Sequence, residues 1–184
     1  MLVKKSLTLV ALALLLVYSN STGEELKTPV CFYTGGPAKA GVTINYEGTR
    51  YAFSSEEKRT QFEQERAASL YQQIGGAAAL NAAVDLFYVK VLADERVNHF
   101  FEDINMETQH RKQNAFLAAA LGAPVPCSGK DMRAAHVNLD IREADFNAIA
   151  ENLQATLTEL KLDEKLINQV MAIVASTKDD VLNR

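Results

Sequence analysis

The 184-residue chain has only two cysteines, Cys31 and Cys127, far apart and outside any spacing that builds a thiolate metal site or a Cys-x-x-Cys redox pair. It has only three histidines, His99, His110 and His136, so strong nitrogen ligands can be weighed one by one. Basic runs are missing beyond Lys4 and Lys5 and the formal net charge is −4, which leaves no electrostatic footprint for nucleic acid. Flavin and nicotinamide signatures are missing too, so any electron must come from an external donor. What is present, 48% apolar and 23% charged residues, is the composition of an ordinary folded protein with material for one good core and a small second module.

Residues 1–22 stand apart from the rest. Lys4 and Lys5 precede an apolar run from Leu7 to Val17, and Ser19, Asn20 and Ser21 follow it, which predicts a secretory signal peptide. The run is short of the roughly 20 residues that a membrane span needs. The expectation is export, either to the periplasm or to the outer face of the inner membrane if an uncleaved segment serves as anchor. No cysteine directly follows the run, so lipid attachment there is not expected. Export lets Cys31 and Cys127 join in one disulfide or stay free, and sequence separation alone does not decide between the two.

Residues 29–67 predict a small α+β module. Val42, Ile44 and Tyr46 alternate with Thr43 and Asn45, Glu47-Gly48 supplies a turn, and Tyr51 and Phe53 resume the alternation, which spells a β-hairpin. Ser54 with Glu57 three residues on reads as a capping box opening a helix through Phe62. Pro29-Val30-Cys31 and Tyr51-Ala52-Phe53 resemble a YHS-type domain, whose later cysteines are replaced here by Ser54 and Lys58. One soft ligand cannot build a tetrahedral zinc site, so the resemblance implies a packing or docking module for a protein partner rather than a metal carrier.

From Ser69 to Arg184 apolar residues recur at intervals of three and four, predicting an all-α domain. Helices are expected up to Gly75-Gly76, over 77–92, briefly over 94–101, over 106–121, around 132–137, and over 143–160 and 163–182. In the second of these, Val84, Phe87, Tyr88 and Val91 share one apolar face. Gly122 and Pro124 close the helix that carries Gln109 and Gln113, and 124–129 is loop. Among the histidines, His99 beside two aromatics reads as a partly buried structural imidazole. His110, about 100° around the helix from Gln109, reads as solvent-facing. His136 follows a loop with Met132 one turn before it, which by itself is weak evidence of a ligand.

The order and spacing of several groups change that weight. Leu70-Tyr71 leads into Gly75-Gly76, Phe87-Tyr88 precedes Val91-Leu92, and His99-Phe100-Phe101 follows. Gln109 and Gln113 then come with Ala115-Phe116-Leu117, and Met132-Arg133-Ala134-Ala135-His136 completes the series. This pattern resembles the group I truncated haemoglobins, over nearly all of 69–184. The resemblance implies a globin-like, two-on-two truncated globin fold and non-covalent haem b with His136 as the proximal iron ligand. Phe100, Phe101, Phe116, Leu117, Met132 and Val137 would line the apolar slot, and Tyr88, Gln109 and Gln113 would stabilise the partial negative charge of a bound diatomic. Lys112 either reaches a haem propionate, binds the iron itself, or stays in solvent.

Two departures matter. The chain has no Cys-x-x-Cys-His for c-type attachment and no histidine after His136 that could link haem covalently late in the chain. It also has Gly122-Ala123-Pro124 where the family usually carries a second Gly-Gly. The resemblance implies binding of dioxygen and nitric oxide, with their conversion to nitrate as one outcome. A non-catalytic haem-based sensor and a redox protein with both axial positions filled are the alternatives.

Overall fold

The computed structural model describes residues 29–125 and 131–184. The signal-peptide segment 1–22 and Cys127 lie outside the described residues. The chain divides into two compact units, one up to Arg59 and one from Thr60.

In the first unit, β1 (Thr43–Tyr46) and β2 (Thr49–Ala52) pair antiparallel with Thr43 opposite Ala52 and Tyr46 opposite Thr49. Both residues of the connecting turn, Glu47 and Gly48, have positive φ, at 47° and 79°, the geometry whose twist matches a two-residue hairpin. Cys31, Val42 and Phe53 are buried beneath it. Helix α1 (Glu56–Ala68) is capped one residue later than expected: the Oγ of Ser55, not Ser54, accepts from the Lys58 backbone N–H at 3.3 Å. The Ser54 and Thr34 hydroxyls donate toward the Cys31 sulfur, which lowers the pKa of its thiol to about 6.

The second unit is built on helix α3 (Gly76–Ala93), which is apolar nearly all round and buries Leu80, Ala83, Val84, Phe87, Tyr88 and Val91. A helix with so little polar face must be covered on several sides. It packs against α4 (Met106–Ala120) and α6 (Glu143–Glu159), while α6 packs on α7 (Glu164–Ser176). The short α2 (Leu70–Gln73) bridges α3 and α7, with the Ser69 hydroxyl capping it through the Gln72 N–H. The expected helix over 163–182 is two: α7 ends at Ser176 and α8 (Lys178–Val181) follows, with the Thr177 hydroxyl turned back onto the Val174 carbonyl.

Glycine is required at the end of α4. Gly122 has φ of 95°, its N–H reaches the Ala119 carbonyl, and the Ala123 N–H reaches Ala118 at 2.8 Å, which closes the helix in a Schellman motif. The adjoining Leu121 carbonyl accepts the Tyr71 N–H at 2.8 Å, so this helix end also anchors α2. At the other end of α3, Asp94 accepts from Arg96 and from the Asn152 amide at 2.7 Å, tying the α3 terminus to α6. Those donors hold its carboxyl far below the usual carboxylate range.

Candidate functional site

Tyr88 sits on α3 with only 2% of its surface exposed. Its hydroxyl accepts a 3.1 Å hydrogen bond from Gln109 Nε2 on α4, and among the described residues no group accepts its proton. Burial raises the Tyr88 phenol above its ordinary pKa, with the Gln109 bond opposing part of the rise. The group is therefore a neutral O–H whose acceptor side is occupied and whose donor side is open. A buried hydroxyl left in that state costs free energy unless a guest completes it. Phe87 at 5.1 Å and Phe101 at 5.8 Å stand edge-on to the Tyr88 ring and fix its plane.

Gln113 lies one turn beyond Gln109 on α4, half-buried, with no protein partner for its amide among the described residues. Phe100, Phe101, Met106 and Phe116 are half-buried against the core that contains Tyr88 and Leu117. Lys112 is exposed on α4.

His136 closes the short α5 (Met132–His136), an element with no buried residue. Its Nδ1 stands 2.7 Å from the Met132 carbonyl oxygen. A carbonyl can only accept, so Nδ1 carries a proton, and the lone pair of the neutral tautomer lies on Nε2, the atom a metal would take, with the ring oriented by a backbone acceptor. α5 packs chiefly against α8, where Arg133 meets Asp180 at 2.9 Å and the Arg184 carbonyl at 2.6 Å. Met132 is half-buried, while Val137 at 56% and Leu139 at 43% are among the most exposed large apolar side chains of the chain. Apolar groups left uncovered beside an oriented imidazole fit a flat hydrophobic cofactor, and the donor set, one imidazole with no thiolate or carboxylate cluster among the described residues, fits haem rather than a bare ion.

Two of the histidines differ from expectation. His99 is exposed, not partly buried, in the short 3-10 turn Asn98–Phe101, with the Phe100 ring at 4.1 Å its only ring contact among the described residues. His110 faces solvent only in part, its side chain 29% exposed. Its imidazole stacks on Tyr88 at 4.5 Å and 19°, and its Nδ1 donates to Asp85, itself 70% exposed, at 3.0 Å. The sequence places His110 off the Gln109 face correctly, but that neighbouring face meets α3 as well as water. The only signal available was Asp85 three residues before Tyr88, and it acquires meaning only once α3 and α4 are brought side by side.

The comparisons with known proteins agree with this geometry. A model described as bacterial-like globin matches residues 69–183. The group 1 truncated haemoglobin of Tetrahymena thermophila is 42% identical over 116 residues, covering 63% of this chain and 96% of that protein. The crystal structure of the 2/2 haemoglobin from Synechococcus sp. PCC 7002, in the cyanomet state and with covalently attached haem, superposes with a TM-score of 0.61 at 48% identity, covering 64% of this chain and all of that one. The truncated haemoglobin of Tetrahymena pyriformis in its Fe(III) form gives a TM-score of 0.60 at 44% identity, covering 62% and 97% of the two chains.

Proposed function

Because this chain belongs to the bacterial-like globin family through residues 69–183, and is a haem protein, we propose that it is an exported haem b globin that binds dioxygen and nitric oxide and combines them to nitrate. Haem supplies iron able to take a diatomic ligand and to give up one electron. The protein residues do the rest. His136 offers Nε2 to the iron, with Met132 fixing its tautomer. Tyr88, held through its acceptor side by Gln109, keeps one proton pointed at the distal space, where negative charge develops on the guest. Gln113 adds a second amide on the same helical face. Phe100, Phe101, Phe116, Met132 and Val137 exclude water, and Leu117 backs them from the core. Exposed Lys112 suits a propionate at the haem edge, where its charge stays hydrated.

The observation that carries the reading is the one-sided hydroxyl of Tyr88, buried with an amide on its acceptor side and, among the described residues, no acceptor for its proton. Nitrate formation from one dioxygen and one nitric oxide consumes one electron from the iron, so an external reductant must restore it. Export rests on residues 1–22, and a protein partner for the module of residues 29–67 follows from its lost cysteines.

The test is an absorption spectrum of the reconstituted chain, followed by nitric oxide consumption by its oxygenated form. A haem spectrum abolished by His136→Ala, with nitrate as product and turnover slowed by Tyr88→Phe, supports the reading. Stoichiometric binding without nitrate would leave a sensor or carrier in its place.

A further inference from the structure

The aromatic contact on the second face of α4 has no part in the roles assigned above. His110 lies flat on the Tyr88 ring, 4.5 Å between centroids and 19° between planes, while its Nδ1–H is held by Asp85 at 3.0 Å. Asp85 and Tyr88 are one turn apart on α3, so their side chains emerge on one face, and His110 fills the space between them. Phe87 and Phe101 meet the Tyr88 ring edge-on. Together with the His110 stack, these contacts restrain the ring both across its plane and along it.

We infer that His110 is a positioning residue: anchored by Asp85, it holds the Tyr88 ring at the angle that keeps the hydroxyl on Gln109 and its proton toward the distal space. The inference deepens the reading of Tyr88 as the ligand-holding donor and rests on it. Three observations point the same way. The stack is nearly parallel, which requires a fixed imidazole; Asp85 supplies the fixing bond; and Gln109, the partner of the Tyr88 hydroxyl, is the residue immediately before His110 on α4. One short stretch of α4 thus grips both the ring and the hydroxyl of Tyr88. His110 does not touch the guest, so its effect must pass through Tyr88.

The test uses the full-length, haem-loaded ferrous protein with His110→Ala and His110→Phe, each in the parent and in the Tyr88→Phe background. Dioxygen dissociation is measured by stopped flow, and the carbonyl stretch of the carbon monoxide complex by infrared spectroscopy. His110→Ala is expected to speed dissociation about two- to tenfold, the range an aromatic stack is worth, and to split or broaden the carbonyl stretch as the Tyr88 hydroxyl samples several angles. His110→Phe keeps a ring on Tyr88 and restores most of the parent behaviour. In the Tyr88→Phe background, with no hydroxyl to aim, His110→Ala has no further effect. An equal acceleration in both backgrounds, or none in the parent while Tyr88→Phe alone responds, overturns the positioning role and leaves the Tyr88 reading intact. A Tyr88→Phe protein that dissociates at the parent rate removes both.

Discussion

The His136 imidazole donates its Nδ1–H to the Met132 carbonyl oxygen across 2.7 Å, one turn back on α5. That bond selects the tautomer and aims the ring at once. α5 buries no side chain, so the imidazole is oriented by hydrogen bonds at the two ends of the element rather than by a core. His136→Gly is therefore expected to lower haem affinity by more than the roughly 10- to 100-fold that losing only an orienting partner of such a ligand costs. Haem titration of the purified protein measures it, and added imidazole should restore the parent spectrum because the slot for the ring remains.

The other end of α5 is held by Arg133, which reaches Asp180 and the Arg184 carbonyl on α8. Exposed pairs of this kind are worth at most about 1 kcal/mol. Arg133→Ala should leave the thermal unfolding of the apoprotein nearly unchanged and yet speed haem loss a few-fold, as read by transfer of haem to an acceptor globin.

Gln109 donates to Tyr88 and receives nothing from it. Replacement by Leu removes that donor while keeping the volume near the ring. A hydrogen bond between neutral groups is worth about 0.5–1.5 kcal/mol, and the loss of its support should speed dioxygen dissociation by about two- to tenfold. Stopped-flow dissociation of Gln109→Leu beside Tyr88→Phe checks the order, with the tyrosine variant expected to be the faster of the two.

Gly122 combines a φ of 95° with a Cβ direction that would meet the Ser69 Cβ at 3.1 Å. Both the backbone strain and the close approach oppose a side chain there. Gly122→Ala should cost about 1–3 kcal/mol, visible as a lower Tm by calorimetry, and it should loosen the Leu121 to Tyr71 bond that seats α2.

Asp145 is 4% exposed, and its carboxylate accepts from the Arg142 backbone N–H at 2.9 Å and from the Arg142 guanidinium at 3.1 Å. Those donors pull its pKa below the ordinary value. A carboxyl depressed in the folded state stabilises fully above its unfolded value, near ~3.9, and loses that contribution as pH falls through the lower folded value. Asp145→Asn should therefore be less stable than the parent at neutral pH by about 1 kcal/mol, the worth of a helix cap, with the difference narrowing as pH falls below the ordinary carboxylate value toward the lower folded one. Chemical denaturation across pH 2.5–7 decides it.

The helical elements of the second unit were legible because each carries its own period or its own stop. Gly75-Gly76 opens α3, the apolar face of Val84, Phe87, Tyr88 and Val91 is wholly buried, and Gly122 ends α4 where its αL geometry demands. The hairpin was legible from alternation and the Glu47-Gly48 turn. Helix boundaries that depend on one hydroxyl were not. Ser54 and Ser55 are adjacent hydroxyls and only the backbone at the entry to α1 selects Ser55 to meet the Lys58 N–H, while the break at Thr177 carries no glycine or proline stop in the sequence.

For the site, Tyr88, Gln109, Gln113 and His136 were singled out through the resemblance to group I truncated haemoglobins, since residue type and spacing alone left His136 an ordinary histidine. Spacing could not say which nitrogen of His136 stays free, which end of Tyr88 stays open, or that His110 faces a tyrosine as well as water. Those depend on contacts between residues distant in the chain, Tyr88 with Gln109 and Asp85 with His110, or on the rotation of a single ring toward a carbonyl. The sequence by itself determined the helices and the set of groups. The tertiary structure decided their protonation, their direction and their partners, because hydrogen bonds and ring stacking depend on ångström-scale placement that periodicity does not record.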